Sequence, residues 1–415
     1  MKTLSTVPVE KNTNQYYWKL SIIVFFVCST AMAFSSYLTV FLQDIGMSVE
    51  TIGIIYGFNT FISVLGSLFW GVISDKMGSV KRVLILCLIA SIFMWGTIPL
   101  FGRIMLPVAI ILIPLSAFFR VPPSAGLADN LALQIAEKHN IGFGSIRLWG
   151  TVGYVLLGFL LSAIVPFLGI DISFYIYVLL AAISVFCIVT FIKKGEEPKK
   201  HLGERRVTLR QMHIGRLFRN YYFMGYLIYL VSLFIPMNAS SSFMPYLLKD
   251  IGVSTDKLAL IVACKSILEV PVLSLTMRLR RRFSLPVLIS AQGVIYFAQY
   301  LLYFSVRSLT GLIIISLLQG LAGGVELGCG VSYCYELAPD DLKSTAHMLL
   351  STMGSVAGII GNILGGYVIG FAGIRTLFLG SGAFVAIMSI LFLASYPAGK
   401  KLFNVPIPKA AKKIS

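Results

Sequence analysis

The chain has 415 residues, of which 57% are hydrophobic and only 12% charged. Its mean hydropathy is +0.87. A soluble domain carries about twice that share of charge, so a soluble enzyme is excluded. The net charge of +17 is also no nucleic-acid footprint, because it gathers in the loops on one side of a series of apolar runs.

Those runs are about 20 residues long, and each can cross a bilayer as a helix. In lipid every backbone polar group must be satisfied internally, which leaves helices or closed barrels. The runs lack strict alternation and therefore read as helices. The predicted fold is all-α and integral to the membrane. Its twelve spans lie at 17–43, 50–73, 83–102, 105–137, 143–167, 172–193, 221–248, 257–279, 285–305, 309–336, 343–372 and 375–396. The first 16 residues are polar and carry no cleavable signal pattern, so span 1 is expected to serve as the insertion signal.

The basic segments KMGSVKR (76–82), KKGEEPKKHLGERRVTLRQMHIGRLFR (193–219), RLRRR (278–282) and PAGKKLFNVPIPKAAKKIS (397–415) share one side. The opposite loops, such as KDIGVSTDK (249–257), are short and nearly balanced in charge. The positive-inside rule then puts both termini and the central loop in the cytoplasm of a cell that carries the protein in its inner (plasma) membrane. Residues 1–195 are expected to form one six-helix bundle, 196–219 a cytoplasmic linker, and 220–415 a second bundle with a basic tail. If the halves are repeats, the loop after span 2 should resemble the loop after span 8. GVISDKMGSVKR (71–82) and SLTMRLRRRFSL (274–285) are both basic, but the second lacks the glycines and the acid.

Charges inside the spans are costly and mark function by default. Spans 4 and 5 form a hairpin about the turn EKHNIG (137–142). Asp129 lies nine residues before position 138 and Arg147 nine after it, each about 13 Å from the turn. Opposite charges at matching depth are expected to pair. A pair that only clamps the hairpin is the competing reading, but an apolar pair would do so at less cost. Tyr154 is two turns beyond Arg147 on the same face and offers a ring to stack on. Lys265 and Glu269 are one turn apart in span 8. Two readings stand there: a self-neutralising pair, or a carboxylate at low dielectric that carries a proton. In span 10, Gln319 and Glu326 share a face, and Glu326 needs a partner or a proton. Arg120 is placed near the outer interface, where it can snorkel, and Glu336 near the inner one.

The late glycines, GLAGGVELGCG (320–330) and GSVAGIIGNILGGYVIGFAG (354–373), suit close helix packing. The six cysteines lie in spans without metal spacing and read as packing residues. No HExxH, P-loop, nucleophile elbow or dinucleotide fingerprint is present. Catalytic residues, a metal site and a cofactor are therefore not expected, and neither is nucleotide-driven transport.

GVISDKMGSVKR resembles the signature that the major facilitator superfamily carries after its second helix, here Gly71, Asp75, Lys76, Gly78, Lys81 and Arg82. The resemblance implies a charge network that holds the outward-facing state. LADNLALQIAEKHNIGFGSIRLWGTVGY (127–154) is similar to the oligosaccharide:proton symporter, lactose permease-like branch and its relatives for phenylpropionate and nucleosides. It implies that Asp129 and Arg147 bind substrate hydroxyls, that Tyr154 stacks on a ring, and that Glu269 contacts substrate. The branch's histidine and glutamate on helix 10 fall at Gln319 and Ala322, its helix 7 acids at Met237 and Ser240, and two asparagines at Val272 and Pro122. Glu326, one turn below Ala322, is inferred to replace the lost acid. The expected partners are a sugar-like solute, protons and the lipid bilayer, with no nucleic acid. The expected activity is proton-coupled uptake by a monomer. Import of aromatic acids or nucleosides, or export, is the alternative.

Overall fold

The computed structural model describes residues 9–122, 126–193 and 215–402. Most of the linker expected at 196–219 and the end of the basic tail lie outside these residues. Among the described residues there is no β-strand. The first half consists of α1 (Val9–Asp44), α2 (Val49–Met77), α3 (Val80–Ile104), α4 (Leu106–Pro122), α5 (Ala128–Lys138), α6 (Phe143–Leu168) and α7 (Ile172–Phe191). The second consists of α8 (Gly215–Phe218), α9 (Tyr221–Ser242), α10 (Met244–Asp250), α11 (Leu258–Ile267), α12 (Glu269–Leu279), α13 (Leu285–Ser305), α14 (Leu309–Val325), α15 (Val331–Leu337) and α16 (Lys343–Leu402).

Ten helical stretches among the described residues are long and apolar enough to cross a membrane. One of them, Asp340–Lys401, runs for 62 residues. At about 1.5 Å per residue that is far longer than a bilayer. It is two spans joined at Gly373, whose φ of 83° interrupts the helix. The shorter α4, continued by α5, supplies the remaining span.

Local sequence explains the ends and the breaks. Ser79, Asn220 and Ser308 cap α3, α9 and α14 by accepting from the backbone N–H three residues on, as short polar side chains do at helix starts. Span 10 changes register through a π-helical segment, Glu326–Gly330, between α14 and α15. Such segments are rare and gather at functional positions.

The turns hold an internal repeat that the basic loops conceal. Asp44-Ile45-Gly46-Met47-Ser48 ends α1, and Asp250-Ile251-Gly252-Val253-Ser254 ends α10. In the first, Gly46 N–H donates to Gln43 O at 3.0 Å and Met47 N–H to Leu42 O at 3.1 Å. In the second, Gly252 donates to Lys249 O at 3.1 Å and Val253 to Leu248 O at 2.9 Å. Both are Schellman closures, which require a left-handed residue, and φ is 84° at Gly46 and 71° at Gly252. Gly169-Ile170-Asp171 before α7 and Gly373-Ile374-Arg375 within α16 repeat a second turn, with φ of 79° and 83° at the glycines.

The chain divides into two compact units, Met1–Phe41 with Ile62–Gly203 and Leu42–Phe61 with Glu204–Ser415. In the first, Trp95 of α3 stacks on Phe174 of α7 at 5.0 Å, and the Tyr177 hydroxyl donates to Ser91 Oγ at 2.8 Å. In the second, glycines set the helix contacts. A Cβ at Gly361 of α16 would fall 2.2 Å from the Ile235 carbonyl of α9, and one at Gly53 of α2 would fall 2.6 Å from the Asn362 carbonyl. The six cysteines form no disulfide, and all but Cys264 are buried.

Candidate substrate-binding site

The hairpin of α5 and α6 turns through Asn140, whose φ is 54°. Ile141 N–H closes it on Ala136 O at 2.8 Å. Asparagine tolerates the left-handed region better than most residues. The turn brings Asp129, in the first turn of α5, to the guanidinium of Arg147 on α6, with Nε–Oδ2 at 3.2 Å. The two side chains remain 31% and 42% accessible. An ion pair this open adds at most about 1 kcal/mol, so clamping the hairpin is a poor explanation of its presence. Charged groups within membrane spans almost always face the bundle interior or a water-filled cavity.

The other edge of Arg147 rests on α1. Its NH1 lies 3.6 Å from Cys28 Sγ. Gly150, nearly one turn beyond, makes room for this contact. A Cβ there would lie 2.6 Å from Arg147 NH1 and 2.8 Å from Cys28 Sγ. At Gly153 a Cβ would lie 2.6 Å from Ser29 Oγ and 2.7 Å from the Phe25 carbonyl. The two glycines of RLWGTVGY thus bring α6 against α1 and fold the guanidinium between them. Tyr154 follows on the same helix and is half-buried. Cys28 was read from the sequence as packing. Its place beside Arg147 carries no sequence signal, because it comes from a helix more than a hundred residues away.

In the second unit, Glu269 opens α12 directly after the break at Leu268. Glu269 lies against α14 at Gly323, where a Cβ would come within 3.3 Å of its Oε1. Cβ atoms at Gly320, Gly324 and Gly328 would strike Lys265 O at 2.1 Å, Val272 Cβ at 2.6 Å and Thr276 Oγ1 at 2.0 Å. The glycine run of span 10 is therefore the face that packs on α11 and α12. Glu326 begins the π segment, and its Oε2 accepts from Gln292 Nε2 of α13 at 3.2 Å. Gln292 is buried and had drawn no attention in the sequence. Gln319 is not brought to Glu326; its Nε2 is 3.5 Å from Ser241 Oγ of α9.

Lys265 and Glu269 are charge neighbours one turn apart, without a direct contact among the ion pairs of the described residues. One reading of the sequence is corrected: Arg120 does not snorkel. It is only 5% exposed, and its guanidinium carbon sits 3.1 Å from the Phe34 ring centre and 5.3 Å from that of Trp95. Arg120 lies near the described end of α4, where a cation–π contact replaces contact with water.

The expected gate residues run from the last turns of α2 (Gly71, Asp75, Lys76) through the turn at Gly78 to the start of α3 (Lys81, Arg82). Gly78 has a φ of 60°, and Arg82 N–H donates to Ser79 Oγ at 3.3 Å. Lys81 Nζ donates to the Ile192 carbonyl at the end of α7. Gly71 has open space where a Cβ would stand. Asp75, Lys76 and Arg82 are exposed.

Comparison with known proteins agrees with this architecture. Residues 17–380 match the model of the MFS_1 like family. The chain is 24% identical to a maltose permease of Geobacillus stearothermophilus over 361 residues, covering 86% of this chain and 89% of the relative. It is 26% identical to a sucrose permease of Escherichia coli over 190 residues, covering 44% and 45%. Among solved structures, the nucleoside transporter NupG superposes with a TM-score of 0.80 at 18% identity, covering 92% of this chain and 99% of that one. The D-xylose-proton symporter does so with 0.68 at 14% identity, covering 96% and 99%. These relatives and neighbours are transporters, not enzymes. The chain belongs to the MFS_1 like family of the major facilitator superfamily and is a multi-pass membrane transporter.

Proposed function

We propose that the protein is a proton-coupled importer of a small polar solute, most simply a di- or oligosaccharide, in the cell membrane with both termini in the cytoplasm. The observation that carries this reading is the open Asp129–Arg147 pair. Aspartate accepts from sugar hydroxyls and arginine donates to them, and neither group is consumed by burial. Tyr154, two turns along the same helix, supplies the stacking ring. The maltose and sucrose permeases among the relatives support the substrate class. Gln319 is assigned to the substrate site as a hydrogen-bonding group without a proton to give.

Glu269 and Glu326 are assigned to the proton. Gln292 suits Glu326 in both of its states: the amide N–H₂ donates to the carboxylate, and the amide oxygen accepts from the acid. The residues Gly71, Asp75, Lys76, Gly78, Lys81 and Arg82 are assigned to the cytoplasmic gate. Substrate and proton sites of such transporters lie near the midplane, reached alternately from each side.

The test is to add maltose or sucrose to lightly buffered, de-energised cells and record the external pH. Alkalinisation that accompanies uptake is expected. Uptake without it would remove symport and leave transport. A second reading, import of an aromatic acid or nucleoside, is favoured by one observation: a probable 3-phenylpropionic acid transporter of Escherichia coli is 31% identical over 127 residues, 30% of this chain. Arg147 can pair with a carboxylate as well as with a hydroxyl. Competition by phenylpropionate, with none by sugars, would decide for that reading.

A further inference from the structure

A cavity in the second unit lies apart from the groups assigned above. It has a volume of about 690 Å³ and is lined by Asp250, Ile251, Phe304, Ser305, Arg307 and Arg375. These residues come from the end of α10, the end of α13 with the turn after it, and the turn beyond Gly373. Arg375 is held in place: its Nε donates to Asp250 Oδ2 at 2.7 Å, and its NH1 donates to the Phe304 carbonyl. Arg307 is exposed and takes part in no ion pair among the described residues. Two arginines against one aspartate leave the lining positive.

The first unit shows what a closed version looks like. There Arg103, at the end of α3, grips Asp171 before α7 with two bonds of 2.9 and 2.8 Å. The charge of Arg103 is thereby matched by a carboxylate held at both oxygens. In the second unit the arginine stands on the other helix, divides its bonds between a carboxylate and a carbonyl, and is joined by a second arginine.

In the proposed orientation this cavity lies on the outer face, where arginines run against the positive-inside bias. The ends of spans 7, 9 and 12 meet the lipid headgroups at that level. Next to the cavity, Leu301, Leu302 and Phe304 of α13 are exposed, and Phe371 is 94% exposed. This is a surface on which acyl chains can lie.

We propose that the cavity binds a phosphate group, supplied by the headgroup of an outer-leaflet phospholipid whose acyl chains lie along α13. The planar fork of arginine matches phosphate oxygens in pairs. Arg375 is already oriented by its two protein bonds, and Arg307 closes over the anion from the loop. Free inorganic phosphate has the same chemistry and is the other source. The inference rests on the proposed orientation but not on the transported solute.

The experiment uses the purified full chain in detergent and follows its melting temperature on addition of phosphatidylglycerol, diacylglycerol or inorganic phosphate. The variant is Arg307→Gln, at an exposed position. Phosphatidylglycerol is expected to raise the melting temperature, diacylglycerol to leave it unchanged, and the variant to need about tenfold more lipid for half the effect, the loss of one charge-assisted contact. Dependence on Arg307 with phosphatidylglycerol alone names the lipid as the source. The same dependence with inorganic phosphate names the free anion. An equal shift with diacylglycerol, a shift undiminished in Arg307→Gln, or no shift with either phosphate source overturns the proposal.

Discussion

Asp44-Ile45-Gly46 closes the first span with the same two backbone hydrogen bonds that Asp250-Ile251-Gly252 uses at the end of the seventh. Midway along the spans the halves differ. The first holds an aspartate and an arginine in direct contact, while the second holds Glu269 and Glu326, with a neutral amide on the latter. A turn poses one physical demand, a positive φ, and glycine answers it in both places. The deep positions pose different chemical demands. An acid–base pair can hold a neutral polar solute in either protonation state of its surroundings, whereas a carboxylate beside an amide can gain or lose a proton without losing its partner.

If this division holds, substitutions in the two halves should fail in different ways. Arg147→Ala should lower uptake by about a hundredfold, because charge-assisted hydrogen bonds to the solute and to Asp129 are lost together. Normal insertion with uptake at the parental rate would return the pair to a structural role. Glu326→Gln should reduce concentrative uptake by about tenfold while solute exchange across the membrane stays near the parental rate. Equal loss of both would place Glu326 in binding and erase the contrast.

Smaller effects test the packing. Gly361→Ala drives a methyl group onto the Ile235 carbonyl, and Gly150→Ala drives one between Arg147 and Cys28. Each should cost about 1–3 kcal/mol of stability, read as a lower melting temperature. Only Gly150→Ala should also weaken solute affinity, since only it disturbs the guanidinium. Smallest of all, Gly46→Ala and Gly252→Ala should each cost about 1 kcal/mol and by similar amounts. Unequal losses would show that the matched turns carry unequal loads.

Particular residues show how far sequence reasoning reaches. Counting residues from the α5–α6 turn brought Asp129 and Arg147 to one depth, because rise per residue is constant in a helix. The same count sent Arg120 to the interface and missed its burial, because the rings that enclose it, Phe34 and Trp95, stand on other helices. The glycines of span 10 were legible as a packing face, but not as the face that meets Lys265, Glu269 and Val272. Gln292 was invisible: a glutamine in an apolar helix becomes informative only once Glu326 stands opposite it. The repeat was sought in the basic loops and found in the glycine turns, where backbone geometry constrains the residue type and loop charge does not.

By itself the sequence determined the number of spans, their lengths and the turns that join them. These follow from the hydrophobic thickness of a bilayer and from backbone rules that act within a few residues. The tertiary structure decided which neighbour each polar group meets: Cys28 beside Arg147, Gln292 on Glu326, aromatic rings around Arg120, and Arg375 between Asp250 and Phe304. Helical periodicity gives a side chain a direction on its own helix, but which helix lies in that direction is set by packing among segments far apart in the chain.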